Sequence, residues 1–442
     1  MGPDINHVET DTVLEPQADV VVIGGGVIGL TSALFLAERG VKVVLVEKGE
    51  IACEQSSRNW GWCRQSVRDP REFDLIREAL RLWRGMNERC QADTGFRTRG
   101  IVFAARTEAD EAQYHEWSKQ AALADIHARM VSGTALAALL PEDRDLPRSA
   151  LYCDSDGCAE PQWAGPAFAQ AARRLGANLV TQCAARGIET TAGRVTAVVT
   201  EKGVVKCGAV VAAGGAWTRR ILKDLDVSLP QLKVRASVAR TTAVENGPSP
   251  ALWDGTTAFR KRADGGYTIA DGSRIVVPLT PDCLRFFLPF IPAMRMEWKG
   301  VRLKIDERFL TEWQEATTVP WDRPSPYEAT RVLDPQPDQK YLDDLLRRLR
   351  ARYPGFAGAR IAQCWAGFID ATPDLIPVIS EVQKVPGLIV ATGFSGHGFG
   401  ISPGAGQLVA NLVCGVKPIV DPREFRLSRF FDGSNPRPTT GV

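Results

Sequence analysis

Residues 19–47 read DVVVIGGGVIGLTSALFLAERGVKVVLVE. Asp19–Ile23 has the continuous apolar character of a buried strand, and Gly24–Gly29 predicts a tight turn. Leu30–Arg39 predicts an amphipathic helix that Gly40 stops, and Val41–Val46 a second buried strand ending at Glu47. Two parallel strands joined by a helix form a right-handed crossover. The uncharged run Val20–Ala37 is interrupted by Gly24-Gly25-Gly26 and Gly29, so it suits a strand, turn and helix better than a membrane span.

Each part of Gly24-x-Gly26-x-x-Gly29 has a physical task. Gly24 permits the turn, Gly26 lets backbone N–H groups approach a pyrophosphate, and Gly29 lets helix and strand pack closely. The helix N-terminus adds unpaired donors and a partial positive charge. Glu47 stands 18 residues beyond Gly29, where a carboxylate can accept from ribose hydroxyls. This combination predicts a dinucleotide site and leaves FAD or NAD open.

Outward from this unit, helical spacing marks Phe73–Cys90, Glu108–Ala128, Ala164–Leu175, Lys340–Arg352 and Ile401–Val413. Buried or alternating strands are expected at Asn178–Thr181, Gly193–Thr200, Gly208–Ala213, Val234–Val244, Thr257–Arg262, Tyr267–Ala270 and Leu388–Thr392, with Asp264-Gly265-Gly266 a hairpin turn. The fold expected is α/β: a Rossmann-like nucleotide-binding domain with a discontinuous second domain built on an antiparallel sheet. The first would comprise residues 1–80, 150–232 and 353–442, and the second residues 81–149 and 233–352. Residues 432–442 are expected to fray.

The chain has 442 residues, with 54 Lys plus Arg against 52 Asp plus Glu. That balance disfavours a nucleic-acid partner. Ten cysteines without a CxxC pair and only four histidines point to reduced thiols in a cytoplasmic setting and to no metal site. No targeting or transmembrane segment is expected.

Two later runs repeat the close-approach logic. Ala212-Ala-Gly-Gly-Ala-Trp217 follows a buried strand, and Ala391-Thr-Gly-Phe-Ser-Gly-His-Gly-Phe-Gly400 leads into the last helix. The second presents N–H groups that suit an anion or a polarised carbonyl, such as the N1–C2=O edge of a reduced flavin. Together with Val20–Gly29, Glu47, Ser56-Ser-Arg-Asn-Trp-Gly61 and Trp365-Ala-Gly367 running into Thr372-Pro-Asp374, they give a chain that resembles the FAD-dependent oxidoreductases of the D-amino-acid oxidase superfamily. That superfamily includes glycine and sarcosine oxidases, D-amino-acid dehydrogenases and L-amino-acid deaminases.

The resemblance implies non-covalent FAD, with Cys364 a small buried filler and not a flavin attachment. Gly24, Gly26, Val27, Ile28, Gly29, Glu47 and Lys48 would hold the ADP half, and Ser56, Ser57, Arg58 and Asn59 would line the pyrophosphate and ribityl region. Ala185 would meet the adenine, and Ala213, Gly214 and Trp217 would close over the ribityl side. Gly367, Asp370, Gly396, His397, Gly398, Phe399 and Gly400 would complete the site at the isoalloxazine.

The implied reaction is oxidation of the C–N bond of an amino acid or N-substituted amino acid, with hydride transfer to flavin N5 and hydrolysis of the imine. It requires no general base when the amine binds neutral, so no catalytic acid or base is assigned. Substrate candidates are Arg260 as carboxylate anchor, with Arg262 its rival of the same parity, and Gln65, Trp365 and His397. Trp365 could instead pack the core, and His397 could instead cap the last helix. Trp60, Trp62, Trp83, Trp163 and Trp253 read as core or interface residues. Glu160-Pro161 reads as a helix start without chemistry. The alternatives are a flavoprotein subunit of a multi-protein opine or hydroxyproline-type dehydrogenase, and an NAD-dependent dehydrogenase. A homo-oligomer or an electron-acceptor partner is compatible with either enzyme reading.

Overall fold

The computed structural model describes residues 2–298 and 300–439. Its first layer is a six-stranded sheet in the spatial order Val378–Glu381, Leu388–Thr392, Ala209–Ala212, Val20–Ile23, Val43–Val46 and Asn178–Val180. All neighbours are parallel except the edge strand Val378–Glu381. The four residues of Val20–Ile23 are paired on both sides and buried, which is why the run carries apolar residues at every position and not every second one.

The helix after the glycine turn is Val27–Ala37, so it opens three residues before the expected start and includes Gly29. It is also not amphipathic: every residue in it is buried. The cause lies far along the chain, because Gly398–Val413 and Pro161–Arg174 both pack against it. A helix covered on several sides needs an apolar surface all round.

A second, ten-stranded mixed sheet stands beside the first layer. Its spine is Leu232–Thr241, paired antiparallel with Ile361–Ala371 along nearly its full length and with Tyr267–Ala270 and Ile275–Pro278 on the other side. The sheet is not wholly antiparallel, because Ala251–Trp253 runs parallel to Ile101–Ala105, and Ile275–Pro278 to Val301–Lys304. Residues 150–153 and 361–371 are expected in the nucleotide-binding part, yet Ser149–Cys153 and Ile361–Ala371 are strands of this sheet. Hydrogen bonding to distant strands decides their membership, and local pattern does not report it.

The tail is not frayed where it is described. Arg71 donates to the Arg437 carbonyl at 3.0 Å, the Thr439 hydroxyl bonds the Asp69 carboxylate, and Pro438 is buried. Residues 440–442 lie outside the described residues.

Candidate functional site

The first sheet ends its central strands at one crevice. Gly24, Gly26, Val27 and Ile28 line it from the turn after the first strand, and Glu47 and Lys48 from the end of the second. Ala213, Gly214 and Trp217 follow the third parallel strand, and Gly396, His397, Gly398, Phe399 and Gly400 follow the fourth. This is the C-terminal edge of an open parallel sheet, where ligands bind in doubly wound folds. Ser56, Arg58, Asn59, Ala185, Gly367 and Asp370 complete the lining that the sequence anticipated.

Packing explains the turn. Gly24 has φ +113°, and a Cβ there would lie 2.4 Å from the Ala213 carbonyl oxygen. Gly29 does not line the crevice; a Cβ on it would stand 2.0 Å from the Gly24 oxygen, so it serves the close packing of helix on strand.

Two helix N-termini, at Gly26 and at His397, abut the crevice without a side-chain cap or a first-turn acid. The Val27 N–H donates to Ser56 Oγ at 2.9 Å, a hydroxyl that an anion can replace or share. Glu47 accepts from Gly25 N–H and Gly49 N–H, each at 2.6 Å, which fixes the carboxylate and leaves it further acceptor capacity. Burial raises its carboxyl above the usual range against the pull of those two amides. Burial likewise lowers Lys48 to about 8, despite Glu54 and Glu47 nearby, and its ammonium sits 3.1 Å from the centroid of the Trp217 ring. Asp370 accepts from Gly393 N–H at 2.7 Å, from Thr392 Oγ1 at 3.0 Å and from Gln231 Nε2 at 3.2 Å, tying the last loop to the large sheet. Asn59 holds its own turn, accepting from Gly61 N–H and donating to the Ser56 carbonyl. The Ala185 carbonyl accepts from the Tyr327 hydroxyl. Glycine-walled close approach, two open helix N-termini and a fixed carboxylate together fit the ADP and flavin portions of FAD.

Several expected residues are elsewhere. Ser57 is buried outside the crevice, with its carbonyl taken by Gln162 Nε2. Gln65 turns the other way, its amide donating to Ser155 Oγ at 2.7 Å and its backbone N–H to Asp156. Trp365 is buried in the core and donates to the Arg58 carbonyl at 3.0 Å, so its packing role is the one observed. Arg260 is not free to take a carboxylate. It forms a bidentate pair with Glu160, both contacts at 2.8 Å, at 2% exposure, and Arg262 leans on Glu160 and Asp264. Glu160 therefore locks the start of its helix to the hairpin strand. Cys364 is half-buried in a separate groove and donates to Gln339 Oε1 at 2.9 Å, well apart from the crevice lining.

His397 does line the crevice, but its side chain makes no helix cap. Its Nε2 lies 3.5 Å from an Arg64 nitrogen, and its buried Nδ1 has no hydrogen-bond partner. Burial, with Arg68 and Arg64 beside it, holds the ring neutral. Arg64 and Arg68 line the same end, as do Trp60 and Trp62, which stack edge to face at 5.2 Å and, while packing on the core as expected, also present surface to the crevice. Arg68 is paired with Glu72 at 2.6 Å. Arg64 instead donates to the Ser66 and Val67 carbonyls and covers the Phe103 ring, and among the described residues no carboxylate lies within ion-pair distance of it. Burial, then the neighbouring Arg68, push its guanidinium down to about 9. An arginine at the crevice without an ion-pair partner is what the sequence did not announce; the signal available was Arg64-x-x-x-Arg68, one residue after the Trp60-Gly-Trp62 run.

With this geometry in view, comparison with known proteins is decisive. Residues 19–412 match the DAO family, described as FAD dependent oxidoreductase. The structure of L-amino acid deaminase from Proteus myxofaciens in complex with anthranilate superposes with a TM-score of 0.93 and 32% identity, covering 97% of this chain and 98% of that one. Sarcosine oxidase subunit beta of Rhodobacter capsulatus is 23% identical over 425 residues, 94% of this chain and 89% of that protein. Glycine oxidase of Bacillus licheniformis is 22% identical over 410 residues, 91% and 94% of the two chains. These matches set aside the NAD-dependent reading. The chain belongs to the DAO family of FAD-dependent oxidoreductases, enzymes that oxidise the C–N bond of amino acids.

Proposed function

We propose that the protein oxidises an α-amino acid whose carboxylate is held by Arg64. The observation that carries this is the Arg64 guanidinium at the crevice wall, bonded to backbone carbonyls and beside His397, with Asp156 and Glu72 nearby but no ion-pair partner among the described residues. A carboxylate there gains a charge-assisted contact from Nε and Nη2, because Nη1 already donates to the Ser66 and Val67 carbonyls. Trp60 and Trp62 form an apolar wall beside it, so the amine-bearing carbon is held out of bulk water and against the last glycine loop. FAD, when bound, supplies the two-electron acceptor for the carbon next to nitrogen.

The chain's own groups bind, orient and keep the site dry. Neutral His397 adds no further positive charge beside Arg64 and Arg68. The anthranilate in the deaminase complex carries an amine and a carboxylate on neighbouring ring carbons, which supports a site for that pair of groups here. Binding of FAD without a covalent bond is part of this proposal, supported by the placement of Cys364 away from the crevice.

A second reading, that the chain is the flavoprotein subunit of a multi-protein enzyme, is favoured by its similarity to a sarcosine oxidase beta subunit. Among the described residues no helix is long and apolar enough to cross a membrane. Ten free cysteines support a reducing, cytoplasmic compartment.

The test is anaerobic reduction of the FAD-loaded protein by D- and L-amino acids, N-methyl amino acids and their decarboxylated amines. The proposal expects bleaching by at least one α-amino acid and far slower bleaching by its decarboxylated amine. Equal rates for the two would overturn it.

A further inference from the structure

Between the helices Arg308–Glu315 and Gln339–Arg352 the chain crosses to the end of the crevice formed by Glu47 and Lys48, and it is held there at several points. A turn of 3-10 helix, Pro326–Ala329, opens the crossing and is closed on itself by a capping box, in which Ser325 N–H donates to Glu328 Oε1 at 2.9 Å. The same carboxylate takes Arg186 as a bidentate partner, at 2.8 and 3.1 Å. The Tyr327 hydroxyl donates to the Ala185 carbonyl, and the Tyr327 carbonyl accepts from Lys48 Nζ at 3.4 Å. Further on, Arg331 donates to the Lys48 carbonyl at 3.1 Å and pairs with both oxygens of Glu201, at 2.5 and 2.9 Å. Leu333 N–H donates to the Glu54 carboxylate at 3.0 Å, and Asp334 pairs with Arg58 at 2.7 Å.

The partners of this crossing stand outside the large sheet. Lys48 follows the strand Val43–Val46, Ala185 and Arg186 begin Ala185–Thr191, and Glu201 follows Arg194–Thr200. The crossing also lies directly beside the fixed carboxylate of Glu47. Gly49 N–H holds that carboxylate, and a Cβ on Gly49 would stand 2.4 Å from the Arg331 carbonyl oxygen. Backbone thus rests on backbone next to the acceptor that ribose hydroxyls need. Tyr327 lines the crevice here, its ring 6.0 Å from Trp217 and 5.3 Å from Lys48 Nζ. Its hydroxyl proton is spent on Ala185, but the oxygen keeps acceptor capacity for a donor on an adenine edge. Ion pairs such as Arg331 with Glu201, at 37% and 13% side-chain exposure, are individually weak, so a segment held by several of them opens without unfolding its neighbours. We propose that residues 325–334 are a strap that retains FAD by its adenosine end, with Tyr327 as the wall of that end and release of the cofactor requiring the strap to lift. The proposal rests on non-covalent binding of FAD and not on which amino acid is oxidised.

The experiment is release of FAD from the loaded full chain, followed as the rise in flavin fluorescence on dilution. Arg331→Gln and Glu328→Gln cut separate anchors of the strap, and each should speed release at least tenfold. Arg148→Gln breaks ion pairs with Glu108 and Glu111, none of which lines the crevice, and should release FAD at the wild-type rate. The apoproteins of all three should share the wild-type apoprotein Tm. In the wild type, amide hydrogens of residues 325–334 should exchange at least tenfold faster without FAD than with it, while those of Gln339–Arg352 keep their rate. Wild-type release from both strap variants, equal acceleration in Arg148→Gln, an apoprotein Tm that falls in step with release, or exchange in 325–334 that ignores FAD would each overturn the strap. FAD that stays on the acid-denatured chain would overturn non-covalent binding itself, and the strap with it.

Discussion

The Arg64 guanidinium and the His397 imidazole lie 3.5 Å apart at one end of the crevice, with no carboxylate between them. A cationic guanidinium beside a neutral imidazole, both drawn away from water, is the place to which the proposed function assigns the substrate carboxylate.

Arg64→Gln should therefore weaken anthranilate or benzoate binding to the FAD-loaded protein. A lost charge-assisted contact of about 1.5–3 kcal/mol corresponds to roughly 10- to 150-fold in Kd. Titration followed by the flavin spectrum measures it, and an unchanged Kd would place the anion elsewhere.

Arg260 should behave as a structural residue. Arg260→Met leaves the Glu160 carboxylate buried without its bidentate partner and should destabilise the fold by about 3–5 kcal/mol. Thermal denaturation should show the loss, and the FAD-loaded protein that remains folded should keep its preference for carboxylate substrates.

The same pair sets an acid limb. Burial alone would raise the Glu160 carboxyl, but the charge and hydrogen bonds of Arg260, then Arg262, outweigh it and hold it below its ordinary value of 4.5. The native state thus binds that proton less readily than the unfolded chain does. Its stabilisation is complete above the unfolded value and is lost as pH falls through the native one. The Tm gap between wild type and Glu160→Gln should be widest near neutral pH and should narrow below about pH 4.5. A gap that widens on acidification would contradict the sign.

How much of this was legible before the structure depends on how local each signal is. The crossover unit was legible because Gly24, Gly29 and the two valine-rich strands do their work within thirty residues of one another. The all-round burial of Val27–Ala37 was not, since Pro161–Arg174 and Gly398–Val413 supply its cover. Strand parity correctly put Arg260 and Arg262 on one side, but the acid that occupies that side lies 100 residues earlier. Gln65 and Arg64 are adjacent, and one step along the backbone separates a side chain held by Ser155 from one that faces the crevice. The helix Arg308–Glu315 was unread because Glu312 and Glu315 are buried and Leu310 and Trp313 exposed, the reverse of the pattern that periodicity detects.

Gly29→Ala should abolish FAD retention, because its methyl carbon would stand 2.0 Å from the Gly24 oxygen and push the turn and helix apart. Cys364→Ser should leave retention unchanged, since that thiol faces another groove. Gel filtration of the two purified variants, reading flavin absorbance against protein, checks both; retained FAD in the first or lost FAD in the second would contradict the site.

The most direct test is anaerobic stopped-flow bleaching of the FAD-loaded wild type and Arg64→Gln, each mixed with a substrate amino acid and with its decarboxylated amine. The account predicts that the wild type reduces much faster with the amino acid and that the substitution erases most of that preference. A preference of the same size in both proteins would contradict it.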